Sequence, residues 1–386
     1  MAWPRCVRPG GRPAGIEPAA PAQAPARAST PRRGCGDNPG MAIQWFPGHM
    51  HLTKKAIIER CKSIDGVIEM LDARLPGSSA NPMLAELTRG KPTLKLLNKQ
   101  DLADPARTAQ WLAHYNALPG TQAIATDASQ KGIGRQMVDA CRRLLPHRGG
   151  MTKPLRLLIC GIPNVGKSTL INALAGKRAA KTGDEPGITK IEARIVLAED
   201  FYVFDTPGVL WPRIVVPRTG ENLAASGAVG RNAFDEQEVV LELLSYLRGP
   251  YLDGLVKRYK LDPAKLVDAT DEQLLEHIGR RRGAVLSGGR IDMQKVSEAV
   301  LADFRHGELG RITLETPEEY AQWLAQGLAA EAARQARLED MFAKKRPKGS
   351  RPDGSPDEPV QPRPRRARAD DAAAAEDSGD DEAEAG

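Results

Sequence analysis

Short apolar runs alternate with amphipathic segments through the first half of the chain. Runs of Val, Ile and Leu are typical of buried strands, whereas apolar residues three or four positions apart are typical of helices. This alternation predicts βαβ units, and therefore an α/β fold with a mainly parallel sheet and helices on both faces. The expected strands are Gly66–Leu71, Pro92–Leu97, Gln122–Thr126, Leu155–Cys160 and Phe201–Phe204, and the expected helices are residues 81–88, 106–117 and 133–144, one that ends near Ser63 and one that begins at Thr169.

The periodicity changes near Glu221. From there apolar residues recur at helical spacing, and no strand pattern intervenes before the chain reaches Glu315. Residues 221–315 are therefore predicted to form a small all-α domain. It follows an α/β domain of residues 41–220, and a helical extension is expected at residues 316–342.

The two ends of the chain lack a periodic apolar pattern. Residues 1–40 are rich in Pro, Ala, Gly and Arg, whereas residues 343–386 change from basic to acidic. Segments of this composition bury too little apolar surface to fold, so both ends are predicted to be disordered. We expect the working protein to begin at Met41, with the upstream start codon wrongly assigned. The basic half of the C-terminal tail would add salt-sensitive affinity for RNA.

An eight-residue loop joins one expected strand to the helix that follows it. Its sequence, from Gly161 to Ser168, is G-I-P-N-V-G-K-S, which has the G-x-x-x-x-G-K-S spacing of a P-loop in the required strand–loop–helix context. Gly161 and Gly166 let the backbone pass close to a phosphate chain, and the loop N–H groups can bind its oxygens. We expect Lys167 to reach the β- and γ-phosphates and the Ser168 hydroxyl to bind Mg²⁺.

A second motif, Asn98-Lys99-Gln100-Asp101, identifies the base. It follows an expected strand and so lies at the edge where open α/β sheets bind ligands. The Asp101 carboxylate can accept hydrogen bonds from guanine N1–H and the 2-amino group, whereas adenine would leave it unpaired. The segment Thr126-Asp127-Ala128 is expected to bring backbone N–H groups near guanine O6. The predicted nucleotide-binding residues are Asn98, Lys99, Asp101, Thr126, Asp127, Ala128, Gly161, Asn164, Val165, Gly166, Lys167, Ser168, Thr169 and Gly208.

A third motif, Asp205-Thr206-Pro207-Gly208, ends the Phe201–Phe204 run. A carboxylate at this position can hold Mg²⁺ through water, and the Gly208 N–H can meet the γ-phosphate. Thr189, in the segment P-G-I-T, is the candidate switch threonine that senses Mg²⁺ and the γ-phosphate. The predicted magnesium ligands are therefore Ser168, Thr189 and Asp205.

The order of the motifs departs from the usual GTPase order of P-loop, switch threonine, D-x-x-G and N-K-x-D. Here N-K-x-D comes first. The strands can keep their places if the old termini are joined and new ones are opened elsewhere, so the sequence predicts a circularly permuted GTPase domain. Because the chain then runs from D-x-x-G almost directly into the helical domain, we hypothesise that the nucleotide state at Gly208 moves that domain.

Composition narrows the class of protein only a little. The 386 residues suffice for two domains and tails, and a formal charge of +6 weakly favours a polyanionic partner. No apolar run approaches the roughly 18 residues of a membrane span, and the five cysteines lack metal-binding spacing. We therefore expect a cytoplasmic, monomeric protein with reduced thiols and no DNA partner.

The group that orients the attacking water is missing from its usual place. Many GTPases carry a Gln after D-x-x-G, but here Val209 and Leu210 follow that motif. A histidine can orient water near neutral pH, and His49 follows a Pro-Gly turn that can aim it. His51 and His147 are equal competitors on the residues alone.

These motifs together resemble the ribosome biogenesis GTPase A (YlqF/RbgA) family. The resemblance covers about residues 41–315 and includes W-F-P-G-H-M at Trp45–Met50, the three motifs in the order given, L-S-G-G at Leu286–Gly289 and the segment Asp303–Arg311. It implies late maturation of the large ribosomal subunit, with hydrolysis stimulated by the ribosome.

The resemblance also implies roles for individual residues. His49 would be catalytic in place of the missing Gln, beside Lys167, with His51 as its remaining competitor. Asn164 would help to hold a stimulatory K⁺ beside the phosphates, where the alternative is ordinary hydrogen bonding within the loop.

Basic residues of the helical domain are candidates for contact with RNA. They form either a solvated face or a surface for the phosphate backbone of ribosomal RNA. Aromatic residues make up only 4% of the chain, which favours backbone contact over base stacking. The residues are Lys257, Arg258, Arg280, Arg281, Arg282, Arg290, Arg305 and Arg311.

The sequence thus predicts a GTP-hydrolysing assembly factor that binds the RNA and proteins of the large ribosomal subunit. One alternative is a nucleotide-gated, RNA-binding regulator of translation with negligible turnover, for which His49→Ala would leave function intact. Another is a metabolic phosphotransferase, whose rate ribosomal subunits would not change.

Overall fold

One mixed, mainly parallel sheet organises the protein, as the alternating pattern predicts. The computed structural model describes residues 50–127, 132–148, 152–175 and 194–345, and the sheet order within them is β3–β2–β1–β4–β6–β5. Every neighbouring pair is parallel except β5 and β6. The strands are β1 (Gly66–Asp72), β2 (Thr93–Asn98), β3 (Thr121–Ala125), β4 (Leu155–Gly161), β5 (Arg194–Ala198) and β6 (Phe201–Asp205).

Helices connect the strands and continue the chain beyond the sheet. Several start at a side chain that caps the first free N–H groups, such as Asn81, Asp104 and Asp235. The helices are α1 (Met50–Cys61), α2 (Pro82–Leu87), α3 (Pro105–Asn116), α4 (Ile133–Leu144), α5 (Lys167–Ala175), α6 (Pro217–Ser226), α7 (Glu236–Leu247), α8 (Leu252–Tyr259), α9 (Asp271–Arg282), α10 (Met293–His306) and α11 (Pro317–Lys345).

The register of the sheet aligns the ends of its central strands. Asp72 at the end of β1 pairs with Asn98 at the end of β2, and Ile159 of β4 pairs with Asp205 at the end of β6. Since these strands are parallel, the segments that follow them leave the same edge of the sheet. The motifs are therefore brought together although their order along the chain is permuted.

The apolar core is continuous from the sheet into the C-terminal helices. One cluster of buried side chains runs from Ile57 on α1 to Leu314, after α10. A smaller cluster surrounds Trp111 of α3. Contacts group the chain up to Ala329 into one compact unit, and the end of α11 belongs to another, in which Arg334 pairs with Glu331 at 2.8 Å.

The structure departs from the expected elements in three places. The edge strand β5 is not in the prediction, the C-terminal helices begin at Pro217 rather than near Glu221, and α11 runs on to Lys345. The expected N-terminal extension, residues 1–40, and the tail beyond Lys345 lie outside the described residues. Among the helices that are described, none is both long and apolar enough to cross a membrane.

Candidate functional site

Two glycines of the P-loop stand where a side chain would collide with a neighbour. A Cβ on Gly161 would lie 2.7 Å from the Met70 carbonyl oxygen, and one on Gly166 would lie 2.3 Å from Asn98 Nδ2. Gly166 also has a φ of +97°, in the left-handed region that favours glycine. Both glycines are thus fixed by close packing as well as by the turn, and the loop leads directly into α5 at Lys167.

The N-K-x-D loop braces the P-loop from the neighbouring strand. Asn98 Nδ2 donates a hydrogen bond to the Val165 carbonyl (2.7 Å), and Lys99 Nζ donates one to the Asn164 carbonyl (2.8 Å). The side chain of Asp101, in contrast, is exposed just beyond the strand. The first two residues of the motif therefore hold the phosphate loop, while Asp101 is accessible to a ligand.

Asp72 anchors this arrangement and is a site residue to which the sequence assigns no role. Its buried carboxylate pairs with Arg74 Nη2 at 2.7 Å and with Lys99 Nζ at 3.0 Å. Burial raises the pKa of Asp72, but the two cations outweigh it and hold that pKa well below its usual range. Burial in turn lowers the pKa of Lys99, although Asp72 opposes the shift. The signal available in the sequence was that Asp72 directly follows the expected strand Gly66–Leu71.

The D-x-x-G segment lies directly against the P-loop. A Cβ on Gly208 would be 2.9 Å from Pro163 Cα, and Val209 N–H donates a hydrogen bond to the Gly161 carbonyl (3.0 Å). The Asp205 carboxylate contacts Lys167 Nζ, and both side chains are buried. Burial raises the pKa of Asp205, opposed by the positive charge of Lys167. The two segments are thus in direct contact through both backbone and side chains.

The donor set at this edge fits a magnesium ion. Ser168 supplies a half-buried hydroxyl next to Lys167, and Asp205 supplies a buried carboxylate that contacts the same lysine. Both are hard oxygen ligands, and Mg²⁺ prefers one or two such groups together with substrate phosphates. In the described parts of the chain, no three His, Cys, Asp or Glu side chains cluster as metal ligands. Thr189, the third predicted ligand, lies outside those parts.

The remaining predicted nucleotide-binding and catalytic residues differ in their surroundings. Thr126 is buried, its N–H donates to the Leu97 carbonyl (2.8 Å), and its carbonyl accepts from Gln100 N–H (3.1 Å), so it fixes the N-K-x-D loop. Val165 is buried and Thr169 is exposed on α5. Asp127 is half-buried after β3, whereas Ala128, His49 and the side chain of His51 lie outside the described residues.

Asn164 connects the P-loop to the C-terminal helices. It has a φ of +57°, which asparagine tolerates better than most residues. Its side-chain Nδ2 donates a hydrogen bond to the carbonyl of Gly227, at the end of α6 (2.8 Å). The sequence indicated a ligand of K⁺ or a loop hydrogen bond here; the observed bond reaches another element of the fold.

Four of the arginines that are candidates for contact with RNA also make contacts within the protein. Asp303 binds Arg258 and Arg282, each at 2.8 Å. Arg305 donates to the carbonyls of Ala224 and Ala225, and Arg311 to those of Gln100 and Ala103, all at 2.9 Å. These four side chains hold α10 and the segment after it against the rest of the fold. Arg282 and Arg311 stay exposed despite these contacts. The other exposed members of the set are Lys257, Arg280, Arg281 and Arg290.

The segment after D-x-x-G and the segment after α10 meet in a buried polar network. Glu315 accepts hydrogen bonds from Ser78 N–H (2.7 Å), from the Ser78 hydroxyl (2.5 Å) and from Asn222 Nδ2 (3.2 Å). Burial raises the pKa of Glu315 to about 7, although these donors oppose the shift. The network joins three separate stretches of chain.

Comparisons with known proteins agree with this architecture. A family model described as 50S ribosome-binding GTPase matches residues 156–280. Ribosome biogenesis GTPase A of Bacillus cereus is 42% identical over 292 residues, which are 73% of this chain and 96% of that protein. Mitochondrial ribosome-associated GTPase 1 of Mus musculus is 35% identical over 295 residues, 70% of this chain and 90% of that one. The GDP-bound structure of TM YlqF superposes with a TM-score of 0.51 at 24% identity, over 68% of this chain and 99% of that one.

The strand order, the P-loop and an N-K-x-D motif that precedes it in the chain define a circularly permuted P-loop GTPase. Because its sequence is also 42% identical to relatives that it matches over nearly their whole length, the chain belongs to the ribosome biogenesis GTPase A family.

Proposed function

We propose that this GTPase acts in late maturation of the large ribosomal subunit and that the subunit stimulates its hydrolysis of GTP. The observation that carries the proposal is the packing after D-x-x-G. Val209 and Leu210 are 2% and 0% exposed, so the position that often holds a water-orienting Gln is built into the core. Hydrolysis then needs a group from elsewhere, which makes a slow isolated enzyme and a partner-dependent rate the expected behaviour.

The relatives support the choice of partner. Two of the proteins that this chain resembles are named for ribosome biogenesis or ribosome association, and the matching family model is described as ribosome-binding. We propose that the chain binds ribosomal RNA and proteins in its GTP form and is released after hydrolysis. It would work as a monomer in the cytoplasm, with no DNA partner.

We assign each residue of the site a role in binding or hydrolysis of GTP. Asp101 would select guanine, and Lys167 would stabilise charge on the β- and γ-phosphates. Bound Mg²⁺, held by Ser168 with Thr189 and Asp205, would neutralise further phosphate charge. His49, with His51 as the competing candidate, would place the attacking water.

A stimulatory K⁺ is part of the proposal. The Asn164 amide is held at the loop by its bond to Gly227, and its oxygen has the chemistry to hold a monovalent cation beside the phosphates. Such a cation would act on the transition-state charge as an arginine finger does.

Turnover by the full chain, with and without purified large ribosomal subunits, tests the proposal. The assay is run in K⁺ and in Na⁺ on the unchanged protein and on His49→Ala, His51→Ala and Lys167→Ala. We expect strong stimulation by subunits in K⁺ that one histidine variant loses while it still binds GTP, and loss of phosphate binding in Lys167→Ala.

Three results would change this assignment. Absence of any stimulation in the unchanged protein would remove the assembly role. Stimulation that survives both histidine variants would move the water-orienting group elsewhere. Equal rates in K⁺ and Na⁺ would remove the cation.

A further inference from the structure

A basic cleft lies at the edge of the sheet opposite the nucleotide site. It has a volume of about 600 Å³ and is lined by the segments that lead into β1, β2 and β4 and by the segment that follows α4. Among the described residues, its walls carry five cationic side chains and a single carboxylate, that of Asp65. The cations are Lys62, Lys91, Arg148, Lys153 and Arg156.

Only part of this positive charge is neutralised within the protein. Arg148 pairs with Asp65 at 3.1 Å, and Lys62 pairs with Glu59, outside the cleft, at 2.9 Å. Lys91 Nζ donates a hydrogen bond to the Ile64 carbonyl at 2.8 Å. Lys153 and Arg156 are exposed, and within the described residues their side chains make no ion pair or hydrogen bond. The cleft therefore offers two unpaired cations and a local excess of positive charge, which favours a polyanion.

The lining also indicates which part of a nucleic acid would fit. None of the described residues that line the cleft is aromatic, and its apolar members are Ile64, Pro92, Leu145 and Pro154. A nucleobase is usually held by stacking on an aromatic ring, whereas phosphate oxygens are held by Lys, Arg and backbone N–H groups. The cleft thus favours a phosphodiester backbone over a free nucleotide or an unpaired base.

The position of the cleft keeps it clear of the GTP site. The motifs follow the carboxyl ends of β2, β4 and β6, whereas the cleft lies where β1, β2 and β4 begin. Seven residues of β1 at about 3.3 Å per residue separate the two edges by about 20 Å. A ligand in the cleft would leave the nucleotide free to bind and leave.

We propose that this cleft binds the phosphate backbone of ribosomal RNA, as a contact separate from that of the C-terminal helices. The proposal rests on the proposed function, because the cleft would give the GTPase domain its own contact with the large subunit. Its contribution is sequence-independent and salt-sensitive, because each phosphate contact releases condensed counterions.

The test uses the full chain loaded with GDP, so that the P-loop is occupied. Lys153→Gln combined with Arg156→Gln removes the two unpaired cations. Lys54→Gln combined with Arg135→Gln removes the same charge at two exposed positions on α1 and α4 that do not line the cleft. Affinities for a short synthetic RNA duplex and for purified large subunits are measured over a range of salt concentrations, with inorganic tripolyphosphate as competitor.

We expect the cleft variant to bind the duplex about tenfold more weakly at low salt, with a salt slope reduced by about 2, roughly 1 per lost contact. GDP affinity should be unchanged, and the control variant should behave as the unchanged protein. Two outcomes would overturn the inference. One is equal affinity and equal salt slope in the two variants. The other is tight binding of tripolyphosphate in the cleft together with an affinity for the duplex that the substitutions do not change. If the unchanged protein binds subunits and only the cleft result fails, the proposed function stands without this contact.

Discussion

The buried carboxyl of Glu315 makes a quantitative prediction about stability. Its pKa is raised from the usual 4.5 to about 7 in the folded protein. Between these pH values the folded state holds a proton that the unfolded chain has released, so the free energy of unfolding must fall as pH rises. At about 1.36 kcal/mol per pKa unit, the loss from below pH 4.5 to above pH 7 is about 3 kcal/mol.

Glu315→Gln removes the ionisation but keeps the size of the side chain. The amide would place an NH₂ group against the Asn222 donor, which lowers stability by an amount that does not depend on pH. The difference in unfolding free energy between the two proteins should therefore shift by about 3 kcal/mol in favour of the variant between pH 4.5 and 7. Glu318→Gln, an exposed neighbour, should leave the pH profile unchanged.

Urea unfolding followed by tryptophan fluorescence measures this difference. Trp111 is a suitable reporter because its Nε1–H donates to the Glu315 carbonyl oxygen (3.0 Å). A variant that differs from the unchanged protein by the same free energy at every pH would refute the reasoning. It would mean that the hydrogen bonds from Ser78 and Asn222 fully compensate for burial of the ionised carboxylate.

Two further substitutions test the packing of the site and of the helices. Gly166→Ala places a Cβ within 2.3 Å of Asn98 Nδ2 at a φ of +97°, so we expect GTP affinity to fall about tenfold or more. Titration with a fluorescent GTP analogue measures this, and an unchanged affinity would contradict the prediction. Asp303→Ala leaves Arg258 and Arg282 without their shared carboxylate. Because both arginines are about one-third exposed, solvent weakens the effect, and we expect the unfolding free energy measured in urea to fall by about 2–3 kcal/mol. A change below about 0.5 kcal/mol would contradict this prediction.

Local pattern was enough to predict most of the fold. The parallel strands and the helices were evident because their apolar periodicity is a property of neighbouring residues. The edge strand β5 was missed although R-I-V-L-A is followed by a short turn at Glu199 and by β6, which is a hairpin signal. That strand lies at the sheet edge and is antiparallel, so it falls outside the βαβ alternation that guided the prediction.

Long-range partners could not be predicted in this way. Arg305 and Arg311 look like surface arginines in the sequence, yet each binds carbonyl groups at least 80 residues away in the chain. The ion pair between Asp72 and Lys99 could not be predicted for the same reason, because it depends on the register of two strands. Motifs indicate the chemistry of a site, but the contacts that support it depend on the whole fold.

The hydrogen bond from Asn164 to Gly227 bears on the hypothesis that nucleotide state moves the C-terminal helices. The chain itself connects the nucleotide site to these helices through Gly208. The hydrogen bond adds a second connection, from the P-loop to the end of α6. An amide donates with nitrogen and accepts with oxygen, so one side chain can hold Gly227 and K⁺ at once.

Asn164→Asp separates the two roles. It keeps the oxygen ligand and a residue that tolerates a φ near +57°, but it loses the donor and sets a carboxylate against the Gly227 carbonyl. We expect turnover to remain faster in K⁺ than in Na⁺ while stimulation by large subunits falls several-fold. If subunit stimulation is retained and the K⁺ dependence is lost, Asn164 serves the cation alone, and coupling to the helices must run through the segment after Gly208.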